Sequence, residues 1–422
     1  MDHLICREAE LSRLWGVFDS DEAEFVAVYG RRRVGKTFLI RQFIAQKKLS
    51  SFQLTGIHRA NITTQLGEFK RELETFYQSL NVNVKLDQPS SWLAAFELLT
   101  SALSHANKKV VLFFDEFPWM ANKKSKLLEA LDYYWNRYWV DNPHIKLVIC
   151  GSAASWIIDN ILNNKGGLHN RVTMRLPIEP FTLIETQVFL RARGVELAPA
   201  QILKLYMCFG GIPFYLKAVK KGLSAIQNIN EICFSEHALL LNEFNNLFSS
   251  LFKHSERHEA IVKLLATKRQ GVNRADIEAK TQCKGGALTR VLNELKCAGF
   301  IQRFTPWGKK RSYYFKLVDE YSLFYLNWIS PPDKTVHVKS LSEHFWDGAS
   351  QSQAWRAWAG LAFESVCFKH LDSIKKSFNI PESAYAYSWQ YVAPKKSGLA
   401  GAQIDLLFER DDGIVNICEI KY

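Results

Sequence analysis

Paired cysteines are missing from this sequence. Its eight cysteines stand singly, with no C-x-x-C among them, which argues against a zinc site or a disulfide framework and leaves most of them as small buried hydrophobes. No uninterrupted apolar run is long enough to span a bilayer, and the opening MDHLICREAEL lacks the basic flank and long apolar core of a signal peptide. A cytoplasmic protein without membrane contact is therefore expected. The hydrophobic deficit that marks disorder is absent too, since apolar residues make up 47% against 23% charged, an ordinary globular balance. A chain of 422 residues is too long for one ordinary core, so two to four domains are expected. Acidic residues are scarce in one stretch. Between Lys253 and Lys316 fifteen Lys or Arg face five Asp or Glu, most of the formal charge of +12, and a polyanionic partner for that segment follows.

What is present begins with Val26 to Phe43. An apolar run from Phe25 to Tyr29 meets Gly30, Arg31, Arg32, Arg33, Val34, Gly35, Lys36, Thr37 and Phe38, a strand, glycine loop and helix in the GxxxxGKT pattern of a P-loop. Backbone amides at a helix start favour phosphate, Lys36 has the reach for β and γ phosphates, and Thr37 is a Mg²⁺ ligand. Glycine is required where a Cβ would obstruct the turn. Downstream, KVVLFF (Lys109 to Phe114) is a continuous β-branched and aromatic run suited to a buried parallel strand, ending in Asp115 and Glu116. After a P-loop this is the Walker B arrangement: Asp115 holds Mg²⁺ through water and Glu116 polarises the attacking water. A helix is expected over Ser125 to Trp139 and a strand over Ile145 to Cys150. The strand leads to Ser152, which bonds the γ-phosphate or attacking water at the sensor 1 position, or caps the following helix before Trp156, or does both. Arg171, in LHNR, is either an arginine finger or a surface arginine. Gly210 to Pro213, GGIP, reads as a helix stop followed by an N-terminal proline.

Taken in order, YGRRRVGKT, FFDEF, GSAAS, LHNR before PIEPF, and GGIPFYL resemble the archaeal-type ATPases of the AAA/STAND P-loop group over roughly the first half of the chain. The stretch around Arg7, Glu8 and Glu10 resembles the GRExEL entry of AAA-like ATPases, with Cys6 where glycine is usual. The resemblance implies a P-loop core with a helical lid, ATP and Mg²⁺ as cofactors, and use as an ATP-dependent switch, with a homo-oligomer among the partners to expect.

The second half carries three helical segments, Glu256 to Thr267, Asn273 to Lys280 and Lys284 to Ala298, then two strands around the basic turn TPWGKKR. This resembles a winged helix. Lys284, Thr289 and Arg290 would enter a major groove, while Lys309, Lys310 and Arg311 would meet phosphates of duplex DNA. Further on, a helix over Trp355 to Leu371 carries Glu364, and the hairpin arms carry Asp405, Glu419 and Lys421. The pattern resembles the PD-(D/E)XK nuclease-like domain of the same ATPases, with Asp405 and Glu419 as metal ligands. The resemblance implies a further helix and strand after Tyr422, so a partial domain that does not cut DNA is expected. The fold expected overall is α/β: a P-loop NTPase parallel sheet (1–184), a helical lid (185–250), a winged helix (251–330) and a partial α/β nuclease-like domain (341–422). The function expected is an ATP-hydrolysing switch on DNA. The alternatives are an ATP-driven signalling scaffold whose winged helix binds protein, and an ATP-regulated nuclease.

Overall fold

A computed structural model describes residues 4–422 except 123, 164–165, 169, 253, 269, 309–312, 332–343 and 392–399. The chain divides into two compact units, Met1–Glu179 and Pro180–Tyr422.

The first unit is an α/β layer structure. Strands β1 (Glu24–Tyr29), β2 (Ser50–Thr55), β3 (Val110–Asp115), β4 (Ile145–Gly151) and β5 (Met174–Pro177) form one sheet in the order β2-β3-β4-β1-β5, and each neighbouring pair is parallel. Every residue of β3 and β4 is buried, as a strand covered on both faces requires. Alternate residues Phe25, Ala27, Phe52, Leu54, Leu112, Phe114, Leu147 and Ile149 share one core with the apolar residues of α3 (Ile62–Ser79) and α4 (Trp92–Leu103). Phe96 is its hub, with ring centroids 5.3 Å from Trp139 and 5.9 Å from Phe114. The helix expected over Ser125 to Trp139 is Leu127–Tyr134 continued by a wider π-type turn, Trp135–Trp139. That turn buries both tryptophans, and Trp139 Nε1 donates to Thr100 Oγ1 at 3.0 Å. Helices α1 (Glu8–Asp19) and α2 (Lys36–Gln46) meet through Trp15 and Phe43, centroids 4.5 Å apart.

The second unit starts with helices, among them Leu183–Ala192, Pro199–Phe209 and Ala225–Cys233. Helices Ser255–Ala266, Arg274–Thr281 and Gly285–Cys297 follow. Next come strands β6 (Val272–Asn273), β7 (Ile301–Phe304) and β8 (Tyr314–Leu317), an antiparallel sheet in the order β6-β8-β7. A tryptophan cluster, with Trp346 and Trp355 centroids 5.0 Å apart and Trp355 and Trp358 at 4.9 Å, packs the start of helix Gln353–Lys369. The last sheet is antiparallel, β11-β10-β9, from β9 (Tyr385–Tyr391), β10 (Ala402–Glu409) and β11 (Val415–Cys418).

Candidate active site

The strand order puts the ends of β3, β4 and β1 side by side, so Asp115, Gly151 and Gly30 follow one another along the carboxyl edge of the sheet. That edge is where open parallel sheets take ligands. Three residues of the loop have positive φ: Gly30 at 141°, Arg33 at 71° and Gly35 at 93°. α2 starts directly after Gly35, so its first amides have no intrahelical acceptor and face the loop's concavity.

Lys36 is buried, and its Nζ donates to Gly30 O at 3.0 Å and Arg31 O at 2.8 Å. Burial lowers its pKa, against the opposing pull of Cys150, Glu116 and Asp115. Thr37 Oγ1 donates to Asp115 Oδ2 at 2.9 Å. Burial raises the Asp115 pKa, while the Thr37 hydrogen bond works the other way. A hydroxyl and a buried carboxylate in contact beside a desolvated ammonium form a donor set that fits a hard divalent cation with phosphate oxygens. Glu116 accepts from Ser152 twice, from Oγ at 2.7 Å and from the backbone N–H at 3.1 Å.

Arg171 is not brought here. It shares a cleft with Asp21, Glu22, Asp141 and Thr173, residues that precede β1, β4 and β5, so it lies at the opposite end of the sheet from the phosphate loop. It is exposed there, away from its own chain's phosphate loop.

Arg7, read from the sequence in the entry stretch, joins the site, and Gln65 does so without having been singled out. Arg7 donates through Nη2 to Glu179 O at 2.7 Å and Val34 O at 3.3 Å, tying α1 to the phosphate loop. The preceding Cys6 has φ 57°, the left-handed conformation that explains why glycine is usual there and that costs a side chain about 1 kcal/mol. Cys6→Gly is expected to raise stability by about 0.5 kcal/mol or less after the larger unfolded-state entropy of glycine is counted. Urea denaturation checks this, and an unchanged or lowered midpoint contradicts it. Gln65, buried, grips Ile57 through both N–H and C=O at 3.1 and 2.8 Å. It thereby fixes the loop whose His58 ring lies 5.0 Å from Trp119.

In the second unit Lys284 to Ala287, Thr289 and Arg290 are exposed. Thr289 is engaged by Arg274, whose Nη1 donates to its Oγ1 at 3.0 Å. Lys309, Lys310 and Arg311 lie outside the described residues. The turn that leads into them is bonded to the last sheet: Trp307 N–H donates to Ser388 O at 3.1 Å, and Nε1 to Glu409 Oε2 at 3.3 Å. Lys316, one of the cations that made this segment basic, lies with Nζ 5.5 Å from the Phe368 ring centre. Burial lowers its pKa, and Glu364 and Asp405 oppose that. Its charge is spent inside the protein.

The nuclease-like residues are not gathered as a metal site. The pairing Leu406↔Cys418 ends just before positions 405 and 419, so Glu419 and Lys421 follow the strand instead of lying in it. Asp405 Oδ1 accepts from Gln403 at 2.9 Å and Oδ2 from the Ile420 N–H at 3.0 Å, while Glu419 pairs with Lys421 at 3.1 Å in the open. Among the described residues no three His, Cys, Asp or Glu side chains converge as metal ligands, and no helix is long and apolar enough to cross a membrane.

Comparison with known proteins agrees with the first unit. A family model described as an ATPase domain predominantly from Archaea matches residues 4–219. An uncharacterized protein of Methanocaldococcus jannaschii is 24% identical over 380 residues, 89% of this chain and 79% of that protein. An uncharacterized ATP-binding protein of the same organism is 44% identical over 43 residues, 10% of this chain and 73% of that protein. A Walker-type ATPase of Pyrococcus abyssi superposes with a TM-score of 0.55 at 16% identity, covering 76% of this chain and 96% of that one; the likeness is one of fold.

Proposed function

Because the chain belongs to the family of ATPase domains found predominantly in Archaea, we propose that it binds ATP with Mg²⁺ at Gly30 to Phe38 and hydrolyses it as a switch on duplex DNA. What carries the hydrolytic part is the convergence of Lys36, Thr37, Asp115 and Glu116 on adjacent strand ends, with Ser152 bonded to the Glu116 carboxylate. In this reading the buried Lys36 ammonium, freed from the Gly30 and Arg31 carbonyls, compensates the phosphates. Thr37 and Asp115 hold the cation, and Glu116 takes the proton of the attacking water. Mg²⁺, when bound, supplies charge neutralisation on the phosphate oxygens. The remaining chain divides, in the same reading, into a lid over 185–250, a winged helix over 251–330 and a nuclease-like fold over 341–422.

The DNA part rests on the exposed Lys284 and Arg290 at the start of the third helix of the winged-helix segment. Replacing both with Ala is expected to reduce the slope of log affinity against log salt by about 2 units, at about 0.9 per phosphate contact. Lys316→Ala should leave the slope alone, since that cation faces Phe368 and the carboxylates Glu364 and Asp405. Titration of the full chain with duplex DNA across a salt series measures both. A slope unmoved by the double substitution favours the second reading, a signalling scaffold whose winged helix binds protein. One observation already supports that alternative: Trp307, at the base of the wing, is hydrogen-bonded to protein at Ser388 and Glu409.

A further inference from the structure

Glu116 has φ 45° and ψ 44°, a left-handed conformation in a residue that bears a side chain. Its neighbours make room for it. A Cβ on Gly56 would lie 2.6 Å from Glu116 O, and one on Gly151 would lie 2.7 Å from Pro118 Cδ. The turn is closed by Trp119 N–H donating to Glu116 O at 2.9 Å, and Glu116 N–H donates back to Asp115 Oδ1 at 3.0 Å. The backbone is thus determined from several sides, as a strained functional turn requires.

The side chain, by contrast, is held among the described residues by Ser152, with Oγ–H to Oε1 at 2.7 Å and N–H to Oε2 at 3.1 Å, which fixes the plane of the carboxyl group against the tip of β4. Ser152 is not occupied elsewhere as a cap. The next helix, Ala154–Ile157, has Ala153 at its N-cap and no side-chain cap bond. A general base must come within roughly 2.6–3.2 Å of the water it deprotonates, and a carboxylate docked flat on two donors of one residue is aimed by them. Of these donors the backbone N–H is immovable, while the hydroxyl turns about a single bond and has other acceptors to choose from.

We propose that Ser152 is a positioning residue that docks the Glu116 carboxylate and restrains hydrolysis, and that turnover requires its hydroxyl to release Oε1 to the attacking water. The proposal rests on the reading of Glu116 as the base. It assigns Ser152 a restraining role distinct from bonding the γ-phosphate.

The test is steady-state ATP turnover by the full chain with Ser152→Ala, Ser152→Thr and Glu116→Gln, with ATP-analogue affinity and melting measured alongside. Ser152→Ala should raise kcat on the order of ten-fold with KM for ATP within about two-fold, because one of two docking bonds is lost. Ser152→Thr, which keeps the hydroxyl, should return kcat to the wild-type value. Damage to the site would lower kcat, so the direction separates restraint from structure. A kcat that falls or stays unchanged in Ser152→Ala overturns the proposal. If Ser152→Ala fails to fold, a Ser152→Thr variant that differs from wild type in kcat overturns it, and one that matches wild type while Ser152→Gly shows the rise upholds it. Wild-type turnover in Glu116→Gln would instead remove the base assignment, a failure distinct from that of Ser152.

Discussion

Lys36→Ala is expected to abolish ATP binding, and Glu116→Gln to preserve binding while slowing turnover by about 10²-fold or more. The two differ because the residues do different things. Lys36 is buried, and among the described residues its ammonium donates to the carbonyls of Gly30 and Arg31. A desolvated cation in that position gains most from a phosphate, and Ala offers no replacement charge. The Glu116 carboxylate accepts instead from Ser152. The amide of Gln keeps the shape and one acceptor there but has no basicity to accept a proton. Calorimetric titration with ATP and Mg²⁺ reads the first effect and phosphate release the second. Turnover unchanged in both variants would remove these residues from the mechanism.

Gly30→Ala should damage the fold as well as the site. Gly30 has φ 141°, and a Cβ there would stand 2.3 Å from Ile178 O, an atom held in place because Ile178 N–H donates to Tyr29 O at 2.8 Å. Backbone strain and a clash with backbone together are expected to cost about 2–4 kcal/mol, and ATP binding is lost with the loop's shape. Gly35 is the control. It also has positive φ, at 93°, but a Cβ there meets nothing within 4 Å, so Gly35→Ala should cost only the strain, about 1 kcal/mol. Denaturant midpoints of the two variants check the difference, and equal losses would mean that the Ile178 contact is not the cause.

The parts of this site that a sequence reader can see are those written in local chemistry. GxxxxGKT specifies strand, loop and helix within one stretch, and β3 and β4 are apolar enough to identify themselves. What joins them is not local. Ser152 meets Glu116 only because β4 lies next to β3, and nothing in GSAAS distinguishes a helix cap from a clamp on a carboxylate. β5 escaped notice because its four residues, Met174–Pro177, bury only Leu176, too short and mixed for a period to show. Arg171 illustrates the same limit from the other side: LHNR does not say at which edge of the sheet it stands, and the direction of the parallel strands does. In the second unit, the excess of Lys and Arg was visible while the inward placement of one of them, Lys316, was not. The position of Lys316 beside Phe368, Glu364 and Asp405 depends on how β8 packs on helix Gln353–Lys369. The positive φ of Gly30 and Gly35 was legible in the glycines of the loop, while that of Cys6, where glycine is usual, was not.

Phosphate release by the full chain at saturating ATP and Mg²⁺, measured with and without duplex DNA and against Glu116→Gln, tests the central claim most directly. An ATPase switch on DNA predicts turnover well above that of Glu116→Gln and a rate that changes when duplex is added. Release no faster than that of Glu116→Gln would contradict the ATPase assignment, and a rate indifferent to DNA would contradict its coupling to the duplex.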